Sequence, residues 1–201
     1  MQSHFTRLVR ATFAAALLLA APADAAMAEP YADAVAANKR GDYPTAMRLY
    51  RPLAEQGHAL AQSALAFMYE NGQAVAQNYA EAVNWYRLAG EQGDAFAQTR
   101  LGFMYQNGEG VPQNDAAAAK WLRLAAEQGR VVAQDALGVM YFTGRGVPKD
   151  YVAASMWLTL SAAHGDRDAA NWRDAVAKLM TPEQTAQAQQ LVREWKPKPG
   201  R

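Results

Sequence analysis

The side chains in this sequence that could do chemistry are few, and they recur. Glu55, Glu91 and Glu127 stand 36 residues apart, and carboxylates brought together across a cleft would suit general acid and base work. Their spacing points elsewhere. One carboxylate at the same place in each repeated helix pair forms a solvated row, with members roughly 10 Å apart. His58 and His164 sit at turns between copies, where the other copies carry unrelated residues, so neither is assigned as a metal ligand or a catalytic base. No H-E-x-x-H, P-loop, nucleophile elbow or Ser-x-x-Lys is present. Trp85, Trp121 and Trp157, with Tyr69, Tyr105 and Tyr141, offer rings for a ligand cage, but strict recurrence at helical core spacing makes packing the better reading. No catalytic residue, metal site or cofactor is expected.

The elements that would position these residues come from three stretches of equal length. Residues 61–96, 97–132 and 133–168 align without a gap, and Leu65, Leu101 and Leu137 keep the step, as do Met68, Met104 and Met140. Within a unit, Leu101, Met104 and Tyr105 predict a first helix over 97–107, which Gly108 ends before the turn Gly110-Val111-Pro112. Ala82, Trp85, Tyr86 and Ala89 share one face of a second helix, whose start at Asn78 and Glu81 has the form of a capping box. Such a helix pair cannot bury its apolar face alone, so neighbouring copies must stack. Small residues at 61, 97, 133 and 169, and at 66, 102 and 138, allow close helix approach. The fold class that follows is all-α, an α-solenoid of antiparallel hairpins.

The ends differ from the middle. Residues 31–60 predict a capping hairpin with a tighter turn and residues 169–195 a C-terminal capping hairpin, with Thr181-Pro182-Glu183 as a helix start. Residues 196–201 carry two prolines and a basic bias, and are expected to be a disordered tail. At the other end, Arg7 and Arg10 precede the apolar run 11–21 and the small-residue site Ala23-x-Ala25, the pattern of a cleavable signal peptide over residues 1–25. A second cut after Ala28 is also open. The run is too short to span a bilayer, and with no cysteine there is no lipid anchor and no disulfide. Periplasmic or secreted location is expected, without membrane insertion of the mature chain.

Removing residues 1–25 takes Arg7, Arg10 and Asp24 from 20 basic and 19 acidic residues, leaving 18 of each. A neutral chain gives no support for nucleic acid as a partner. A mature chain of roughly 170 residues is long enough to be stable by packing alone as a single domain, and an array capped at both ends is expected to be a monomer.

The unit from Ala97 to Gly129 reads A-Q-x-x-L-G-x-M-Y-x-x-G-x-G-V-P-x-N-D-x-x-A-x-x-W-L-x-x-A-A-E-Q-G. It resembles the Sel1-like repeat, a relative of the tetratricopeptide repeat, and the resemblance covers residues 61–168 strongly and the flanks loosely. Ala66, Ala74 and Ala76 depart from the pattern in the first unit, and Ser161-Ala162-Ala163-His164 in the third. The resemblance implies a right-handed superhelix that acts in protein interactions, often in bacterial envelope or host-contact settings, with no shared active site. Some cysteine-rich exported relatives have been associated with weak binding or hydrolysis of β-lactams. This leaves a cell-envelope enzyme acting on β-lactams or peptidoglycan as the alternative to an interaction scaffold.

Repeated residues build such a scaffold, whereas positions that differ between copies can encode a partner. On the first helices these are Phe67, Phe103 and Val139, then Glu70, Gln106 and Phe142, with Arg100 beside them. If first helices line the inner curve, these seven form a concave strip that binds a protein or peptide segment. The other reading makes Phe67 and Phe103 ordinary core between repeats.

Overall fold

The computed structural model describes residues 23–199, with side chains from residue 28 onward. All but the last residues of the expected signal peptide, and residues 200–201 of the tail, lie outside the described residues. Ten helices and no strand occur among the described residues: α1 (Ala23–Lys39), α2 (Tyr43–Glu55), α3 (Ala59–Asn71), α4 (Tyr79–Glu91), α5 (Ala95–Asn107), α6 (Asp115–Glu127), α7 (Val131–Thr143), α8 (Tyr151–Ala162), α9 (Arg167–Ala177) and α10 (Pro182–Glu194). Successive helices from α1 to α9 pack on one another in chain order, giving four hairpins stacked as an array. We call α1, α3, α5, α7 and α9 the A helices and α2, α4, α6 and α8 the B helices.

The recurring apolar positions form the core. Leu65, Leu101 and Leu137 are fully buried, and Met68, Met104 and Met140 nearly so, each such burial stabilising by roughly 1.5–3 kcal/mol. Gly102 and Gly138 stand against Leu122 and Leu158, where an added Cβ would come within 2.5 and 2.7 Å of the leucine Cγ. Three A helices end at Gly72, Gly108 and Gly144, whose N–H groups donate to the carbonyls of Met68, Met104 and Met140. B helices begin under Asn78, Asn114 and Asp150, whose side chains accept from the N–H of Glu81, Ala117 and Ala153. Asn78 makes its half of the expected box. A complete reciprocal box forms instead at Thr181 and Gln184.

The turns after α5 and α7 lock units together. Gly110 has φ +70° and lies so close to the start of α4 that a Cβ would be 2.4 Å from the Tyr79 carbonyl, while at Gly146 the corresponding distance to the Asp115 carbonyl is 2.1 Å. Ala74 takes the equivalent place in the first unit and holds φ +62° despite its side chain.

Helix starts fall two residues before the expected unit boundaries. His58, Asp94, Arg130 and Asp166 are the N-caps of α3, α5, α7 and α9. Three of these four cap with their side chains, through an imidazole or a carboxylate, and Arg130 does not. Three residue types share these four positions, and one of them does not cap with its side chain, which hid the boundary from a search for identity between copies.

The C-terminal end departs from expectation most. Residues 169–195 do not fold as a capping hairpin: α10 turns back to pack against α8 instead of pairing with α9. Val192 and Trp195 find apolar surface there, beside Trp157 and Leu160. Residues 196–199, expected to be disordered, lie along the end of α6, where the Lys198 N–H donates to the Glu127 carbonyl at 2.8 Å and its ammonium pairs with the Glu127 carboxylate at 2.7 Å.

Candidate interaction surface

The structure separates the seven variable residues that were expected to form one strip. Glu70 is buried, with its side chain only 6% exposed. Its carboxylate accepts from the Tyr86 hydroxyl at 2.7 Å and from the Arg100 guanidinium, which reaches it from the next unit. Glu70 and Arg100 are thus a bond between repeats, and burying that carboxylate is tolerable because both partners are present. Phe103 is half-buried against the α6–α7 core, and Val139 and Phe142 join the core under α9. Phe142 packs between Tyr151 and Trp172, with ring centroids 6.1 and 5.6 Å away. Gln106 is half-buried, and its carbonyl accepts from Arg145.

Phe67 alone of the seven stays open. It projects from α3 as an exposed ring, 6.1 Å between centroids from Phe96 at the start of α5. Exposed Leu60, one helical surface further back, and Ala64 complete the apolar floor of a groove of about 410 Å³ on the A-helix face. Tyr31 and Asn38 of α1 form one wall, and Asp94 with Ser63 supplies a polar edge. Asp94 is fixed there because its carboxylate accepts from the Ala97 N–H at 2.6 Å and from the Ser63 hydroxyl at 3.0 Å. Burial raises the Tyr31 phenol above its ordinary range, and the Asp94 charge adds to the effect. Tyr31 therefore stays neutral, stacked on His58 at 4.8 Å. The Arg130 guanidinium lies 6.0 Å from the Phe96 ring centroid and is exposed, with no salt bridge among the described residues.

An apolar floor with a fixed carboxylate and a cation at its edge can hold a short peptide segment by an anchor side chain. Leu60, Phe96, Tyr31, Asn38 and Asp94 were not singled out in the sequence. The signal existed: Leu60, Phe96 and Val132 are 36 apart and differ between copies, but they fall at the unit ends, where the boundary was drawn two residues late. Among the described residues there is no group of three or more His, Cys, Asp or Glu arranged to hold a metal ion.

The model of the Sel1 repeat matches four times, over residues 38–58, 59–94, 95–129 and 131–166. The chain belongs to the Sel1 repeat family. The last three matches begin at the A-helix starts or within one residue of them, so the family's unit and the structural hairpin coincide. Among solved structures, the Sel1 array is similar to a Sel1 repeat protein from Oxalobacter formigenes, at 34% identity and a TM-score of 0.66, over 69% of this chain and 57% of that one. It is also similar to c5321, a protective antigen of uropathogenic Escherichia coli strains with an SLR fold, at 31% identity and a TM-score of 0.56, over 76% of this chain and 40% of that one. The Sel1 array thus spans about half the length of these relatives. No curated protein matches it. Sel1 repeats form a helical scaffold used generally for protein interactions. No described helix of this array is long and apolar enough to cross a membrane.

Proposed function

We propose that this Sel1 array is an exported, non-enzymatic scaffold that holds a protein or peptide partner on its A-helix face, with the Leu60–Phe67–Phe96 groove as the anchor point. The observation that supports this is the division of the variable residues: six are taken up between or under the repeats, while Phe67 remains open beside Leu60. An exposed pair of large apolar side chains in a concave site, with a fixed polar edge, is the form of a recognition pocket. Export rests on the basic, apolar and small-residue order of the first 25 residues.

The test is to replace Leu60 and Phe67 together by serine and to repeat crosslinked affinity capture from the native envelope. A partner recovered by the parent protein and lost by the variant, at an unchanged melting temperature, supports the anchor. Equal recovery removes it. Incubation with a β-lactam and with muropeptides should give no turnover, and turnover that survives a second purification step would overturn the scaffold reading. Cell fractionation of a tagged full chain decides export.

A further inference from the structure

The opposite face of the array carries a second kind of site, and the chain fills one copy of it itself. Where α6 hands over to α7, the C-terminal segment lays Trp195 across Trp157, with ring centroids 6.5 Å apart, and packs beside Leu160. Trp195 and Pro197 lie over Gly129, and Lys198 closes the contact on Glu127 through both its backbone and its ammonium. The seat is therefore made of Glu127, Gly129, Trp157 and Leu160, and what it accepts is an aromatic ring followed by a proline and a cation.

One unit earlier the same four residue types stand in the same register, as Glu91, Gly93, Trp121 and Leu124. Among the described residues Leu124 has no such cover and is 38% exposed, whereas Leu160 under α10 and Trp195 is 8% exposed. The open seat is a groove of about 450 Å³, with Lys198 and Pro199 at its rim. Gly90 replaces Ala126 at its base, and a Cβ there would lie 3.2 Å from the Trp121 ring. Glu91 is exposed and in no salt bridge among the described residues.

We propose that this second seat, between the end of α4 and the face of α6, docks an extended segment of a partner protein in which an aromatic residue is followed within three positions by proline and lysine or arginine. The occupied seat identifies the chemistry, the unpaired Glu91 supplies the complementary charge on the side away from Lys120, which stands where the occupied seat has Met156, and the docked tail offers a continuous neighbouring surface. This site is independent of the A-helix groove.

The probe is an acetylated peptide copying residues 194–201, titrated into the protein with its tryptophan indoles and glycine amides isotope-labelled for NMR. Expected is a saturable shift of the Trp121 indole and the Gly93 amide, with Trp157 and Gly129 unmoved. A peptide carrying Trp195→Ala should bind at least tenfold more weakly, one carrying Lys198→Glu several-fold more weakly, and E91Q in the protein should weaken the parent peptide. Each readout is separate from folding, since two of the changes are made in the peptide alone. The proposal is overturned if no saturation is reached at millimolar peptide. It is overturned equally if Trp157 moves while Trp121 does not, because the peptide then only displaces the tail. Concentration-dependent movement of Trp121 without peptide would assign the seat to a second copy of this chain and overturn the partner.

Discussion

Replacing His164 by glutamine should stabilise the protein, because it completes a polar ladder that the array leaves unfinished. Gln62, Gln98 and Gln134 are buried on the A helices and donate to the carbonyls of Ala54, Gly90 and Ala126. The carboxamide oxygens of Gln62 and Gln98 each accept from a glutamine of the next corner, Gln92 and Gln128, at 2.7 Å. At the third step the register puts His164 where those donors stand, and its ring lies on the Leu160 carbonyl instead. The Gln134 oxygen is left buried without a partner. A net hydrogen bond is worth about 0.5–1.5 kcal/mol, and an orphaned buried acceptor costs about 1–3 kcal/mol. Subtracting the exposed imidazole contact, the gain is about 1 kcal/mol, or about 2–4 °C in Tm for a chain of this size. The assay is calorimetry on His164→Gln, Gln134→Leu and the double variant. An unchanged Tm, or the same gain with and without Gln134, would refute the reasoning, since the effect would then not pass through that oxygen.

Arg100→Met should cost about 2 kcal/mol in a denaturant titration, because it strands the Glu70 carboxylate with Tyr86 alone; the figure sits below that of a fully buried pair since Arg100 is one-third exposed. Ala74→Gly should raise Tm by about 1–3 °C, releasing an alanine held at φ +62°, while Gly146→Ala should lower stability by more than about 2 kcal/mol by forcing a Cβ onto the Asp115 carbonyl. Burial, with Asp166 and Asp168 adding their charge, raises the Asp135 carboxyl above its ordinary range. Since the folded form then holds its proton more tightly than the unfolded one, this group's stability is present below the unfolded pKa of about 4 and lost as pH rises through the folded one. Asp135→Asn should therefore raise Tm at pH 7 and leave it nearly unchanged near pH 3. Trp195→Ala should uncover Trp157 and Leu160 and be read as increased binding of an apolar dye.

The hairpin array was legible in the sequence because Leu101, Met104, Gly108 and their equivalents do the same work in every copy, so identity at a fixed step reports structure directly. Glu70 and Arg100 were legible as variable but not as partners, since the contact joins residues 30 positions apart in a pairing that the other units do not repeat. Phe142 read as surface because its cover, Trp172, belongs to α9, beyond the last repeat. The return of α10 onto α8 had no periodic signal at all: it depends on the fit of Val192 and Trp195 to a surface that exists only once the array has stacked. The open groove was half visible, with Phe67 found and Leu60 and Phe96 lost to the placing of a boundary.

Gly110 and Gly146 carry a mechanical meaning beyond their fit. Each presses the backbone of one unit directly against the backbone of the unit before it, so the relative pose of the later hairpins is set by main chain and cannot be adjusted by a rotamer change. The first junction has Ala74 at the equivalent place, with φ +62°. The later hairpins therefore keep one spacing along the array, like the marks on a ruler, and the α4–α6 seat stands at a fixed distance from its filled copy one unit on.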